Sequence, residues 1–371
     1  MSYSSELYYQ LALSRVENVG PKTGRYLIKE LGLAEEVFHL PLKQLKKLKG
    51  VSEKTIRSIK SEKPIREAES ILNYAEQTSL RILAFSDDHY PDRLKGFDIA
   101  PLILFVKGHI DLQRQRTVAV IGTRQASAEG IRQTKALVEG LQDYEAVIVS
   151  GLAYGIDIEA HKQSLKMGVP TVGVLGSGHE HIYPSIHEKI ARQMVENGGL
   201  VSTYPFWQKP EREHFPARNR IVAMLSDCAV VVESGERGGS IITANMASEL
   251  GKPVGACPGR GGHVHTAGCN AMIKAGQAEM IRSVADIAEL LRWVPAEQTA
   301  RQAKLFADLS PEEDQIVTQL KICEELAVDE LRRKLNWSSA ALAAQLLTME
   351  CKGLLEAKPG PAYSLSGLVA V

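Results

Sequence analysis

Between residues 115 and about 292, short and nearly continuous apolar runs alternate with stretches of helical period. The runs are Val118–Ile121, Val147–Val149, Thr171–Leu175, Ala229–Val232 and Val254–Cys257. Such runs, without polar alternation, suit strands buried on both faces of a parallel sheet. The stretches between them, Ile131–Leu141, Ile156–Lys166, His187–Glu196, Arg220–Leu225 and Ile241–Leu250, space their apolar residues as helices do. Strand and helix in alternation predict an α/β fold: a doubly wound, mostly parallel Rossmann-like sheet. Ligands on such sheets sit outside the carboxyl ends of the strands.

The flanks read differently. Residues 1–85 are expected to form a small helical domain with basic surfaces, and the α/β domain then spans 86–294. The segment from Val19 to Gly24, Val-Gly-Pro-Lys-Thr-Gly, resembles the turn of a helix-hairpin-helix motif, whose backbone amides grip a DNA phosphate but whose fold serves as often to bind protein. Gly50 to Thr55 is a degraded copy without the second glycine. Residues 295–309 are polar at first, show no core face and read as a linker. Residues 310–371 resemble a winged-helix domain, with Asp329–Leu335 and Ser339–Lys352 as the helix pair and Leu354–Leu365 as the wing. The second helix of that pair is rich in alanine and nearly uncharged, a poor base reader, which favours protein contact or dimer support.

Composition narrows the classes. Lys+Arg and Asp+Glu both number 44, so any nucleic-acid surface must be a local cluster and not a global field. Five scattered cysteines argue against a disulfide framework and fit a reducing, cytoplasmic setting. The first residues lack the basic-then-apolar plan of a signal peptide. No apolar run approaches the roughly 18 residues of a membrane span, so no membrane association is expected.

Four of the strand ends run into glycine-rich turns before a helix. They carry Gly122, Thr123 and Arg124; Ser150 and Gly151; Gly176 and Gly178; and Gly238, Gly239 and Ser240. Glycine lets backbone amides approach an anion, and the following helix points its positive end at the same spot. Together they predict an anion site at the carboxyl edge. The spacing is neither G-x-G-x-x-G nor a Walker loop, so neither a dinucleotide nor an ATPase is indicated and no cofactor is expected.

Residues 203–222 mix Lys209, Arg212, Arg218 and Arg220 with Tyr204, Phe206, Trp207 and Phe215. Cations for phosphates and flat faces for bases are what an unpaired strand needs, since a duplex hides its base faces. Each residue also has a plainer reading. The aromatics could plug the core edge, Arg124 could sit in a structural ion pair, Asn219 could cap a helix, and Arg220 could brace the loop. Asp157 and His161, four apart on one helix, could act as an acid/base pair, but no nucleophile or carboxylate set accompanies them. Cys257, His263, His265 and Cys269 depart from the spacing of structural zinc sites, and His179 and His181 fall on opposite faces, so no metal is expected.

The ordered motifs YPDRL at 90–94, PLILFVKG at 101–108, VIGTR at 120–124, SGLAYGID from Ser150, with Ala160 and His161, YP at 183–184, FPARNR at 215–220, GGSIITA at 238–244 and PG at 258–259 resemble the DNA-processing protein A (DprA/Smf) family. The resemblance spans 90 to about 290. It implies an extended Rossmann fold that binds single-stranded DNA, helps load the RecA recombinase onto it during DNA uptake and recombination, and works as a homodimer without catalysis. Site residues implied on these motifs and the adjoining loop are Gly122, Thr123, Arg124, Ser150, Gly151, Gly176, Gly178, Lys209, Arg212, Phe215, Arg218, Asn219, Arg220, Gly239 and Ser240. Two positions depart from the family pattern: Ser202-Thr203 replaces the usual Ser-Glu, and Gly238-Gly239-Ser240 replaces Ser-Gly-Ser. A nucleotide- or nucleoside-phosphate-processing Rossmann enzyme is the competing reading.

Overall fold

The structure is a computed structural model that describes residues 3–296 and 310–365, apart from Lys49, Arg114, Gln115, Glu324, Gly353 and Pro359. One compact unit ends at Trp293 and a second begins at Val294. From residue 297 the expected linker lies outside the described residues.

The first unit opens with six helices, α1 (Ser5–Ser14), α2 (Pro21–Leu31), α3 (Ala34–His39), α4 (Leu42–Leu45), α5 (Glu53–Ile59) and α6 (Lys63–Thr78). Ser4 and Ser52 cap α1 and α5, each accepting from a first-turn amide, and prolines occupy the first turns of α2 and α6. These helices do not stand apart. Leu11, Leu27 and Ile71 share one core with Ile82, Ile103 and Phe105 of the strands that follow.

Next come β1 (Arg81–Ala84), α7 (Asp92–Lys95), β2 (Ile103–Gly108), β3 (Thr117–Ile121), α8 (Ala128–Leu141), β4 (Val147–Ser150), α9 (Ile156–Met167), β5 (Thr171–Val174) and α10 (Glu188–Glu196). The unit closes with β6 (Gly198–Ser202), α11 (His214–Leu225), β7 (Cys228–Val231), α12 (Gly239–Glu249), β8 (Val254–Ala256), α13 (Ala267–Lys274), β9 (Glu279–Met280) and α14 (Val284–Leu291). The described residues build a sheet in the order β1-β2-β6-β5-β4-β3-β7-β8-β9. From β6 to β9 it is parallel, whereas β2 joins β6 and β1 joins β2 antiparallel. The doubly wound expectation holds. Val118 and Val120 face α8, α9 and α14, while Ala119 and Ile121 face α11 and α12, so β3 is buried on both sides.

Four strands of the sheet escaped the hydrophobic pattern, among them β9, whose two exposed residues Glu279 and Met280 make no apolar run. β1 lies inside the span expected to be helical, yet it is the sheet's edge strand; four residues are too few to show a period. β2 lies within the PLILFVKG motif, outside the alternating strand and helix region that starts at residue 115. β6 begins with Gly198-Gly199, which reads as a loop. A Cβ at Gly198 would collide with the Thr171 carbonyl, and its φ is +143°, so glycine is the residue this close strand pairing requires.

The chain winds outward from β3 to β6, then returns to place β7 on the other side of β3. That reversal is the topological switch point, where open α/β sheets present their ligand crevice.

The second unit has helices Pro311–Ile322, Val328–Leu335 and Ser339–Cys351 and an antiparallel sheet of β10 (Glu325–Ala327), β11 (Leu355–Lys358) and β12 (Ala362–Leu365) in the order β10-β12-β11. Ile316, Leu331, Leu342 and Leu346 form its own core. This is the expected winged helix. No helix among the described residues is long and apolar enough to cross a membrane.

Candidate nucleic-acid interface

At the switch point the turns after β3 and β4, the start of α12 and Arg218, Asn219 and Val222 of α11 enclose a cleft of 430 Å³. Gly122 ends β3 where any side chain would strike Ile156. The Thr123 amide donates to the Glu233 carbonyl at 2.7 Å, and the buried Glu233 carboxylate accepts from the Ser127 amide at 2.8 Å. This lashing holds the turn and leaves Arg124 exposed on the cleft wall. Arg124 has no ion pair among the described residues, so the structural-pair reading of it falls away.

On the opposite wall Gly238 caps α12 without a side-chain hydrogen bond. Gly239 is exposed with open space where a Cβ would go, and the Ser240 hydroxyl donates to Ser234 at 2.8 Å. The first-turn amides of α12 therefore face the cleft with the positive end of the helix behind them.

The floor is polar and buried. Ser150 spends its hydroxyl on the Val120 carbonyl at 2.7 Å, which ties β4 to β3. Arg218, 6% exposed, donates to the carbonyls of Gly151 and Val174. A Cβ at Gly151 would lie 2.7 Å from that guanidinium. Asp157 accepts from the Gly151 amide at 3.2 Å. Burial raises its pKa, against the opposing pull of the Arg218 charge and these backbone donors. Burial likewise lowers the pKa of Arg218. Arg218 is thus a strut beneath the cleft more than a free phosphate contact.

Several expected roles are corrected. α11 begins at His214, not Arg220, so Phe215, Arg218, Asn219 and Arg220 are helical and not loop residues. Pro216 sits in the first turn, where a missing N–H costs nothing. Asn219 caps no helix; its carbonyl oxygen accepts from Arg218 Nε at 2.9 Å beside the cleft. Arg220, two residues on, leaves the cleft for a separate groove. The third glycine turn is closed: Gly176 and Gly178 are buried, and the Gly178 amide donates to the Gln208 carbonyl at 2.8 Å. Lys209 and Arg212 are exposed on the loop that closes it.

The aromatics divide. Phe206 stacks on Tyr74 of α6 with ring centres 3.7 Å apart, Trp207 meets Phe206 edge-on, and Tyr204 packs on His214 at 4.1 Å. These three fasten the loop to the protein. Phe215 is half-buried over Gly176, 5.6 Å from Tyr183 and 5.7 Å from the Arg218 guanidinium.

Asp157 and His161 do not work together. His161 is fully buried with Nδ1 2.7 Å from the Thr171 hydroxyl, and burial holds its pKa down at about 3. Cys257 and Cys269 are buried with thiols pushed up to about 12 and 11, while His263 and His265 lie exposed. No group of three or more His, Cys, Asp or Glu among the described residues is placed to hold a metal. The expectations missed Gln125 and Thr243, which line the cleft, and Glu233, which braces it. A carboxylate directly after the apolar run 229–232 was the available signal for Glu233.

Residues 81–292 match the family model for DNA recombination-mediator protein A, and residues 295–361 match the DprA winged helix domain. The chain belongs to the DNA recombination-mediator protein A family. Among its relatives, Protein Smf of Escherichia coli is 32% identical over 80% of both chains. The DNA processing protein DprA of Streptococcus pneumoniae is 38% identical over 54% of this chain and 71% of its own. The X-ray structure of that DprA superposes with a TM-score of 0.62 at 29% identity, covering 78% of this chain and 98% of the other. DprA of Helicobacter pylori, whose structure is described for its single-stranded DNA binding mode, superposes with a TM-score of 0.52 at 29% identity over 57% and 95%. The YPDRL motif is structural: Tyr90 is buried with its hydroxyl on the Pro101 carbonyl, and Arg93 ties α7 to the Leu225 carbonyl and Asp227.

Proposed function

We propose that this DprA-family protein binds single-stranded DNA without sequence preference along the carboxyl edge of its sheet, and that it delivers the strand to a RecA-type recombinase as a cytoplasmic homodimer. The observation that carries the DNA reading is the cleft at the switch point. It joins an unpaired Arg124 to the open first turn of α12, with Phe215 beside it. Phosphates fit the first two and a base face fits the third, and none of them reads base edges. The single-strand binding of the Helicobacter relative supports the same choice. Delivery to RecA and the dimer rest on the family resemblance alone. The nearly uncharged outer face of helix Ser339–Cys351, with Leu347 exposed, supports a protein-contact role for the winged helix.

The enzyme reading is weaker because the candidate acid and base are separated. Asp157 reaches the cleft, whereas neutral His161 is spent on Thr171. The deciding experiment compares labelled oligo-dT with duplex of equal length at two salt concentrations. Strong preference for oligo-dT is expected, and equal affinity for the two would overturn the proposal.

A further inference from the structure

A second cavity, of 280 Å³, lies on the far side of α11. Its walls are apolar: Val19 and Pro21 from the α1–α2 turn, Pro101 and Leu102 before β2, and Ala217 and Ile221 from α11. Thr203, at the carboxyl end of β6, closes one side. Exposed Arg220 stands at its rim, without an ion pair among the described residues.

Its position in the sheet gives it meaning. Along the carboxyl edge the strand order is β2, β6, β5, β4, β3, β7. The apolar cavity lies at β2 and β6, Phe215 covers the Gly176 end of β5, and the switch-point cleft lies at β4, β3 and β7. Three features suited to an unpaired strand therefore fall in a row. Neighbouring strands are about 4.8 Å apart, so β6 to β3 is about 14 Å. The stretch Ala217–Met224 of α11 separates the two cavities, with Arg218, Asn219 and Val222 lining one and Ala217, Arg220, Ile221 and Met224 the other.

We propose that this cavity is a second nucleobase station for the same single strand. A base enters the apolar walls, Arg220 holds the adjoining phosphate, and the N-terminal helical segment becomes part of the DNA-binding surface. The occupant follows from chemistry and continuity. A base is flat and apolar on its faces, its phosphate is anionic, and the row leads directly from the switch-point cleft past Phe215. The inference rests on the single-strand reading above.

The test measures binding of fluorescein-labelled oligo-dT in a graded series of lengths to the wild type, Ala217→Trp, Arg220→Glu and Arg124→Ala. Ala217 is exposed on α11, so the larger ring fills the cavity without entering the core. An iododeoxyuridine oligonucleotide is cross-linked in parallel and the adducts mapped. In the wild type, affinity should keep rising as the oligonucleotide grows beyond the switch-point cleft, with cross-links at residues 19–21 or 217–224. Ala217→Trp and Arg220→Glu should each remove about tenfold or more of that length-dependent gain, and Ala217→Trp should lose the cross-links. An unchanged length dependence in both variants, with cross-links absent from both segments while Arg124→Ala still weakens binding, would overturn the second station alone. Capture of a RecA-type recombinase is measured on the same variants; its loss in Ala217→Trp with length dependence intact would assign the cavity to a protein and overturn the station too. No binding of any oligonucleotide by the wild type would instead sink the single-strand reading itself.

Discussion

Arg124 stands on the wall of the cleft and Arg218 beneath its floor, and they do different work, because one is exposed and the other is buried. Arg124→Ala should weaken oligo-dT binding by about 1–2 kcal/mol and reduce the log–log salt slope by about 0.7, with melting unchanged. An unaltered slope in the titration would show that Arg124 meets no phosphate. Phe215 is intermediate. Half of its ring is spent on Gly176 and Tyr183, and the other half is free to meet a base. Phe215→Ala should therefore cost about 1–3 kcal/mol of single-strand binding at constant salt slope, and a smaller folding loss of about 1–2 kcal/mol. A stability loss with binding retained in the folded fraction would make it a core plug after all. His161 and His179 carry a pH signature. Burial lowers their pKa values from 6.5 to about 3 and about 4, so the folded protein holds them neutral while the unfolded chain protonates below 6.5. Their contribution to stability is complete above pH 6.5 and lost as pH falls toward those values. His161→Gln should flatten that decline in denaturant titrations between pH 6.5 and 4; an unchanged slope would show that the decline has another source.

At the scale of the element, α12 is the part whose chemistry is most exposed. Its Gly238-Gly239-Ser240 start has no capping side chain, and Gly239 has room for one. An acid placed there would complement the positive end of the helix and repel a phosphate. Gly239→Asp should keep or slightly raise the melting temperature, by up to about 1 kcal/mol in folding free energy, while strongly weakening oligo-dT binding. Undiminished binding would remove α12 from the anion site. The same reasoning explains why the turn after β5 does not compete. Its amides already serve the 205–208 loop, so the glycines there permit close packing and not ligand approach.

On the scale of the whole molecule, the two units keep separate cores, and the cleft, Phe215 and the apolar cavity all belong to the first. A chain ending at Trp293 should fold cooperatively and bind oligo-dT with an affinity within a few-fold of the full chain. A large loss would show that the winged helix supplies DNA contacts that its nearly uncharged face does not advertise. The helices before β1 are in the opposite situation. They share Leu11, Leu27 and Ile71 with the sheet, and Phe206 locks the 203–213 loop onto α6, so removing them would uncover the core of β1 and β2.

The sequence by itself determined the α/β alternation, the carboxyl edge as the place for a ligand and the identity of the glycine turns as special places, and it carried the winged helix as a resemblance. All of these are written in runs of neighbouring residues: unbroken apolar stretches, helical spacing and glycine after a strand. Tertiary structure alone decided which turns stay open and which cations stay free. Gly178 is closed because Gln208, thirty positions on, takes its amide. β6 is a strand only because β5 and β2 flank it. Arg218 and Arg220 look alike in the chain, but two residues of helix turn the backbone by about 200°. Where α11 begins therefore sends one arginine under the sheet's edge and the other to a separate groove. Local pattern sets what each segment can become, and only packing against distant segments sets which of its polar groups remain available to a ligand.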